Sequence, residues 1–150
     1  MSILVHIIAG EEDELIAIAE SPEPLVEWSG VQVRNLDTAK VVMLHCLLTG
    51  DEFDFAVAHY EPVYTSADEG TLLLRVADEA MEKLSVLDED SLAEVAEELA
   101  ATAEFEEGGW DADQVNELLL EIANLARLAE SQGQVLFIWM QPLEQMRTED

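Results

Sequence analysis

Basic residues are nearly missing from this chain. Lysine and arginine together number six, against 34 aspartates and glutamates, for a formal net charge of −28 over 150 residues. A field of that sign repels nucleic-acid phosphates and anionic lipid headgroups, which excludes nucleic-acid and membrane-surface binding. A single cysteine, Cys46, excludes an internal disulfide, and its apolar surroundings mark it as an inert packed thiol. No apolar run reaches the roughly 18–20 residues needed to span a bilayer. The apolar stretch at residues 3–9 has no basic segment before it and is followed by Glu11-Glu12-Asp13-Glu14, unlike a secretory signal. These absences point to a cytoplasmic protein. With only seven glycines, most placed as turns or caps, there is no glycine-rich loop to cradle phosphate and no nucleophile elbow.

What is present suffices for one core. Apolar residues make up 49% of the chain, and the length suits one domain, here residues 3–140 followed by a polar tail at 141–150. Residues 3–9 read as a strand covered on both faces. Residues 11–20 read as a short helix burying Leu15, Ile16, Ile18 and Ala19, ended by Pro22 and Pro24. Residues 21–35 read as a loop carrying Trp28. A helix then runs from an Asp37 N-cap, with Leu36 and Val41 at staple spacing, to a left-handed stop at Gly50. It is apolar almost all the way round, which places it at the centre of the fold. Residues 51–61 read as an acidic loop, and 63–65 with 71–76 as a hairpin closed by the turn 66–70.

The second half is mostly helical. Asp78 is placed to cap a helix that turns Ala80, Met81 and Leu84 inward. Ser91 with Glu94, and Asp111 with Gln114, have capping-box spacing. Leu92, Val95, Ala96, Leu99 and Ala100 form one apolar stripe. Val115, Leu118, Leu119, Ile122, Leu125, Ala126 and Ala129 form another, with Trp110 as a staple and Gly133 as the stop. Residues 135–140 are a second all-apolar strand. The order of elements implies an α+β fold: one small mixed or antiparallel sheet, its N- and C-terminal strands central, plus a hairpin, packed with about five helices.

Candidate sites are sparse. The histidines His6, His45 and His59 share no ligand spacing, and no calcium-loop layout occurs, so no metal or cofactor is expected. His45 shares a helix face with Val41, Val42 and Leu48, which suits a core histidine hydrogen-bonded to backbone; a pocket around His45 and Tyr64 is the one place where an enzyme site would fit. Trp28, in an acidic loop, has the character of an interface anchor. Asp88-Glu89-Asp90 and Glu104, Glu106 and Glu107 are solvated acidic runs available to a basic partner.

Several segments together resemble the YfbM-like family of uncharacterised bacterial proteins. They are the N-terminal strand, Leu36-Asp37-Thr38-Ala39-Lys40, Leu44-His45-Cys46-Leu47-Leu48-Thr49-Gly50, the helix around 77–87, Gly109-Trp110 before the long helix, and the closing strand after Gly133. The similarity spans about residues 3–140. The family's Met-Gly opening is absent here, and the segment between the hairpin strands is shorter. The resemblance implies a single α+β domain, no established activity and no catalytic residues to carry over.

With no catalytic motif and a field that attracts cations and basic proteins, the expected role is non-enzymatic: an acidic interaction protein, monomer or homodimer, docking on a basic protein. Its sharpest form is an immunity-type inhibitor of a cationic toxin such as a nuclease. The alternatives are a small enzyme with a site near His45, or the housekeeping domain of a halophile, although glutamate outnumbers aspartate here.

Overall fold

The computed structural model describes residues 3–21, 23–66 and 70–142. The first half runs β1 (Ile3–Gly10), a 3-10 turn (Glu12–Glu14) into α1 (Leu15–Glu20), α2 (Pro24–Glu27), β2 (Gly30–Arg34) and α3 (Thr38–Thr49). Then come α4 (Phe53–Ala56), a second 3-10 turn (Val57–Tyr60), β3 (Tyr64–Thr65) and β4 (Leu72–Arg75). The chain continues through α5 (Asp78–Val86), α6 (Glu89–Ala100), α7 (Ala103–Glu107), α8 (Ala112–Ser131) and β5 (Val135–Pro142). The fold is α+β, with one five-stranded sheet ordered β2-β1-β5-β4-β3 and antiparallel throughout.

The two apolar ends of the chain pair at the sheet's centre, in register from Ile3↔Pro142 to Gly10↔Val135. Both strands are buried on both faces, which is why they read as continuous apolar runs rather than alternating ones. Gln141 and Pro142, expected to start the tail, continue β5 instead; residues 143–150 of the expected tail lie outside the described residues.

One face of the sheet is covered by α8, which packs on β1, β2 and β5 and in turn carries α5 and α6. Eight of its side chains are buried, Val115, Leu118, Leu119, Ile122, Ala123, Leu125, Ala126 and Ala129, each large one stabilising by about 1.5–3 kcal/mol. The central position expected of α3 therefore belongs to α8. Helix α3 is apolar all round for a different reason: α5, α6, α4 and α7 each cover part of it, leaving Met43, Leu44, Cys46 and Leu47 half-buried. The other face holds a smaller cluster, in which Ile18 and Ala19 of α1 meet Ile8, Leu73, Phe137 and Trp139.

Several local expectations need correction. Residues 30–34 form an edge strand, not loop; the Val31-Gln32-Val33 alternation is its signature, and it pairs with β1. Pro24 begins α2 at its first position, where a missing N–H costs nothing, while Pro22 lies outside the described residues. Ile16 is 58% exposed rather than buried, because only the Ile18–Ala19 side of this short helix meets the sheet. The acidic segment 51–61 is coiled into α4 and a 3-10 turn. Asp78 is the first residue of α5 rather than its cap and binds Arg75 at 3.0 Å instead. Helix α6 starts earlier than the Ser91–Glu94 pair, with Asp88 accepting from the Ser91 N–H at 2.8 Å. The Asp37 cap, the Asp111–Gln114 capping box and the left-handed Gly50 stand as expected. The paired hairpin strands do too, although residues 67–69 of their turn lie outside the described residues.

Two predictions follow from this packing. A Cβ at Gly30 would sit 2.5 Å from the Ile7 carbonyl oxygen and 2.5 Å from Leu25 Cδ2. Gly30→Ala is therefore expected to destabilise by about 1–3 kcal/mol, lowering Tm by roughly 2–4 °C per kcal/mol in a thermal melt. His6 is 7% exposed, stacked on Trp139 at 4.8 Å, and neither ring nitrogen has a hydrogen bond of good geometry. Burial pushes its pKa down, with Gln32 pulling weakly the other way. The folded state thus binds a proton less readily than the unfolded chain, so this contribution is whole above the ordinary histidine value and is lost as pH falls below it. Denaturation of the wild type and His6→Leu side by side should show the wild type losing stability relative to the variant between about pH 7 and 5; parallel curves would refute the assignment.

Candidate functional site

The structure gathers its polar chemistry where α3 ends. His45 lies on the inner side of that helix, flanked by Val41, Val42 and Leu48, and is 2% exposed. Gly50, at φ 82°, ends the helix and turns the chain back over its last turn. That return is held by Thr49, whose hydroxyl donates to the His45 carbonyl at 2.9 Å and accepts from the Asp51 N–H at 3.2 Å. Asp51 Oδ2 consequently stands 2.8 Å from His45 Nε2. The coiled segment 53–60 then delivers Tyr60 to the ring's other side, its hydroxyl 2.9 Å from Nδ1. The same phenol oxygen accepts from the Ala77 N–H at 3.3 Å.

The donors and acceptors assign themselves. An ionised carboxylate can only accept, so Nε2 carries a proton toward Asp51. With the ring neutral, Nδ1 then accepts from Tyr60, and Tyr60 accepts from Ala77. The His45 hydrogen bond holds the Asp51 carboxyl below the usual aspartate range, with Thr49 adding to it. Burial pushes Tyr60 up to about 12, so at neutral pH it is a phenol that donates, not a phenolate. The histidine is thus bonded to two side chains rather than to backbone, as the sequence had suggested. Cys46 is half-buried, and burial followed by the charge of Asp51 pushes its thiol up, away from nucleophilic use.

His59 completes the group from outside. It is exposed, stacks on His45 with ring centroids 5.5 Å apart, and takes the edge of Phe55 at 5.5 Å. One ligand atom each from His45, Asp51 and His59 lies within 4.8 Å of the others. They line an open cleft of about 670 Å³ together with Arg75, Asp78 and Glu79. Behind His45 the core keeps an apolar cavity of about 30 Å³.

Comparison with known proteins adds the fold alone. The chain is similar in fold to YfbM of Escherichia coli. That structure, described as a protein of unknown function, matches over 91% of this chain and 99% of its own, with 15% sequence identity and a TM-score of 0.47. It falls in the family that the sequence segments resemble. No family model matches the sequence, and no curated protein matches it. Among the described residues no helix is long and apolar enough to cross a membrane.

The sequence-derived candidates separate in space. Tyr64 does not join His45: strand alternation sends it, with its partner Leu73, to the smaller cluster on the opposite face, where its hydroxyl donates to Glu20 at 3.2 Å. Trp28 packs half-buried in that same cluster. Asp88, Glu89 and Asp90 begin α6 and are exposed; Glu106 and Glu107 are exposed on α7, and Glu104 is half-buried. The residues missed are Asp51, His59 and Tyr60. Gly50 was their one sequence signal, since a left-handed stop reverses the chain onto the helix it ends.

Removing the Tyr60 hydroxyl leaves the buried His45 Nδ1 and the half-buried Ala77 N–H without this partner. Tyr60→Phe is expected to cost about 1–3 kcal/mol in denaturant unfolding, whereas Tyr64→Phe, at the half-buried position, should cost less.

Proposed function

We propose that the protein is a non-enzymatic, acidic interaction protein that docks on a basic protein partner. The observation that carries this reading is how little positive charge its surface retains. Lys40 is buried and paired with Asp37 at 3.1 Å. Arg75 is held between Glu12 and Asp78. Arg127, although exposed, donates to the carbonyls of Ser85 and Leu87 at the end of α5, and Arg34 and Lys83 are the other exposed cations among the described residues. The carboxylates are mostly exposed. Along α6, Asp90, Glu94, Glu97 and Glu98 stand at i, i+4, i+7 and i+8 and so share one face, and α7 packs against that helix with Glu106 and Glu107. The result is an acidic ridge about 12 Å long on α6 alone, beside the carboxylates of α7. In its narrowest form the partner is a cationic toxin such as a nuclease, inhibited by a surface that imitates the charge of its substrate.

The cleft beside His45 favours a second reading, a small enzyme. Against it, burial holds Tyr60 as a neutral phenol and pushes the Cys46 thiol up, so neither is an activated nucleophile.

The test is capture from lysate of the source organism on immobilised protein, eluted with a salt gradient. A single basic protein leaving late and in stoichiometric amount supports docking. Its affinity should fall steeply as salt shortens the Debye length below about 10 Å, and roughly tenfold in Glu94→Gln/Glu97→Gln/Glu98→Gln relative to Glu23→Gln/Glu27→Gln. Affinity indifferent to salt, or a smear of unrelated cationic proteins, would sink the reading.

A further inference from the structure

We propose that His45, Asp51 and His59 bind one divalent transition-metal ion of the zinc type, with an open coordination position facing the cleft. The inference is independent of the docking role, since the cleft and the α6–α7 ridge are built from different residues.

Ligand chemistry comes first. Two imidazoles and a carboxylate are the donors that zinc and its neighbours take, whereas calcium and magnesium take oxygen. Spacing comes second. Metal–ligand distances near 2.0–2.1 Å in a tetrahedron require ligand atoms about 3.3 Å apart. His45 Nε2 and Asp51 Oδ2, hydrogen-bonded at 2.8 Å, need to part by only about 0.5 Å, and all three ligand atoms lie within 4.8 Å. Closing the widest gap therefore takes about 1.5 Å. His59 is the residue able to supply that movement, being exposed, on a 3-10 turn, and held by ring contacts with Phe55 and His45.

The surroundings support the same site. A metal-binding histidine is typically oriented through its second nitrogen, and His45 Nδ1 is fixed by Tyr60, itself anchored on the Ala77 N–H. Proton accounting is simple. When the metal takes the Nε2 lone pair, the one proton of the neutral ring resides on Nδ1. Nδ1 then donates to the Tyr60 oxygen, which changes from donor to acceptor. Asp51 is already ionised at neutral pH and gives up only its hydrogen bond to Nε2–H. Three protein ligands leave a fourth position open toward the cleft, available to water or a small anion. The net charge of −28 raises the local concentration of any cation.

The test is calorimetric titration of the metal-stripped, full-length protein with zinc chloride alone. Running it with magnesium in large excess saturates diffuse carboxylate binding. One zinc per chain is expected, reversed by a chelator. Cobalt(II) in the same position should show visible absorption of tetrahedral character. His59→Ala changes an exposed side chain, so folding, checked by circular dichroism, is preserved. It should weaken zinc at least roughly tenfold, because losing even a supporting partner of a ligand costs 10–100-fold. Glu97→Gln/Glu98→Gln should leave the affinity unchanged. Binding that disappears in magnesium, or that is the same in His59→Ala as in the wild type, overturns the site.

Discussion

The pairing of β1 with β5 is the constraint on which the rest of the structure depends. It joins the two ends of the described chain in one register of eight residue pairs and puts both strands in the middle of the sheet. Every other strand adds to one of these two, β2 to β1 and the hairpin through β4 to β5. Helix α8 owes its place to the same pairing, because it lies across β1 and β5 and gives α5 and α6 their base. The pairing is as non-local as this chain allows, so its loop-closure cost must be met by burial on both faces of both strands. A polar residue there carries a penalty, and His6 and Trp139 each show buried ring nitrogen without a hydrogen bond of good geometry.

His45 sets a second constraint. A buried imidazole must satisfy two nitrogens with groups of opposite hydrogen-bonding character, and α3 alone offers neither. Both partners come from the segment just after the helix, Asp51 from its first residue and Tyr60 from its last coiled turn. The segment is therefore shaped by the histidine it serves. The same requirement leaves Asp51 and His59 at the mouth of a cleft, so a polar network that supports the fold also presents ligand atoms to solvent.

Acidity and architecture are separable. The described carboxylates are mostly exposed, spread over the first helices, the segment after α3 and α5 through α8, and they shape the field around the molecule rather than its core. Some also act locally as caps, Asp37, Asp88 and Asp111 each accepting a backbone N–H at the start of a helix. Lys40 and Arg75 are likewise spent on internal contacts, and the exposed Arg34, Lys83 and Arg127 are few against the carboxylates, so the outward field is strongly negative.

Sequence by itself determined the α+β class, the two central strands, the apolar stripe of α8, and three helix boundaries marked by Asp37, Gly50 and Asp111. These are legible because each depends on neighbours within a few residues: a continuous apolar run, a 3.6-residue period, a cap. The edge strand 30–34 carried a local signal too, in its alternation of valines. Tertiary structure alone decided the site. Nothing in the spacing of His45, Asp51, His59 and Tyr60 marks them as a group, since they meet only after a left-handed glycine and two short coiled turns fold the chain back. It also decided that Tyr64 lies on the far face of the sheet, because which face a strand residue occupies follows from register, and register is set by the partner strand; Trp28 joins the same cluster from the end of α2.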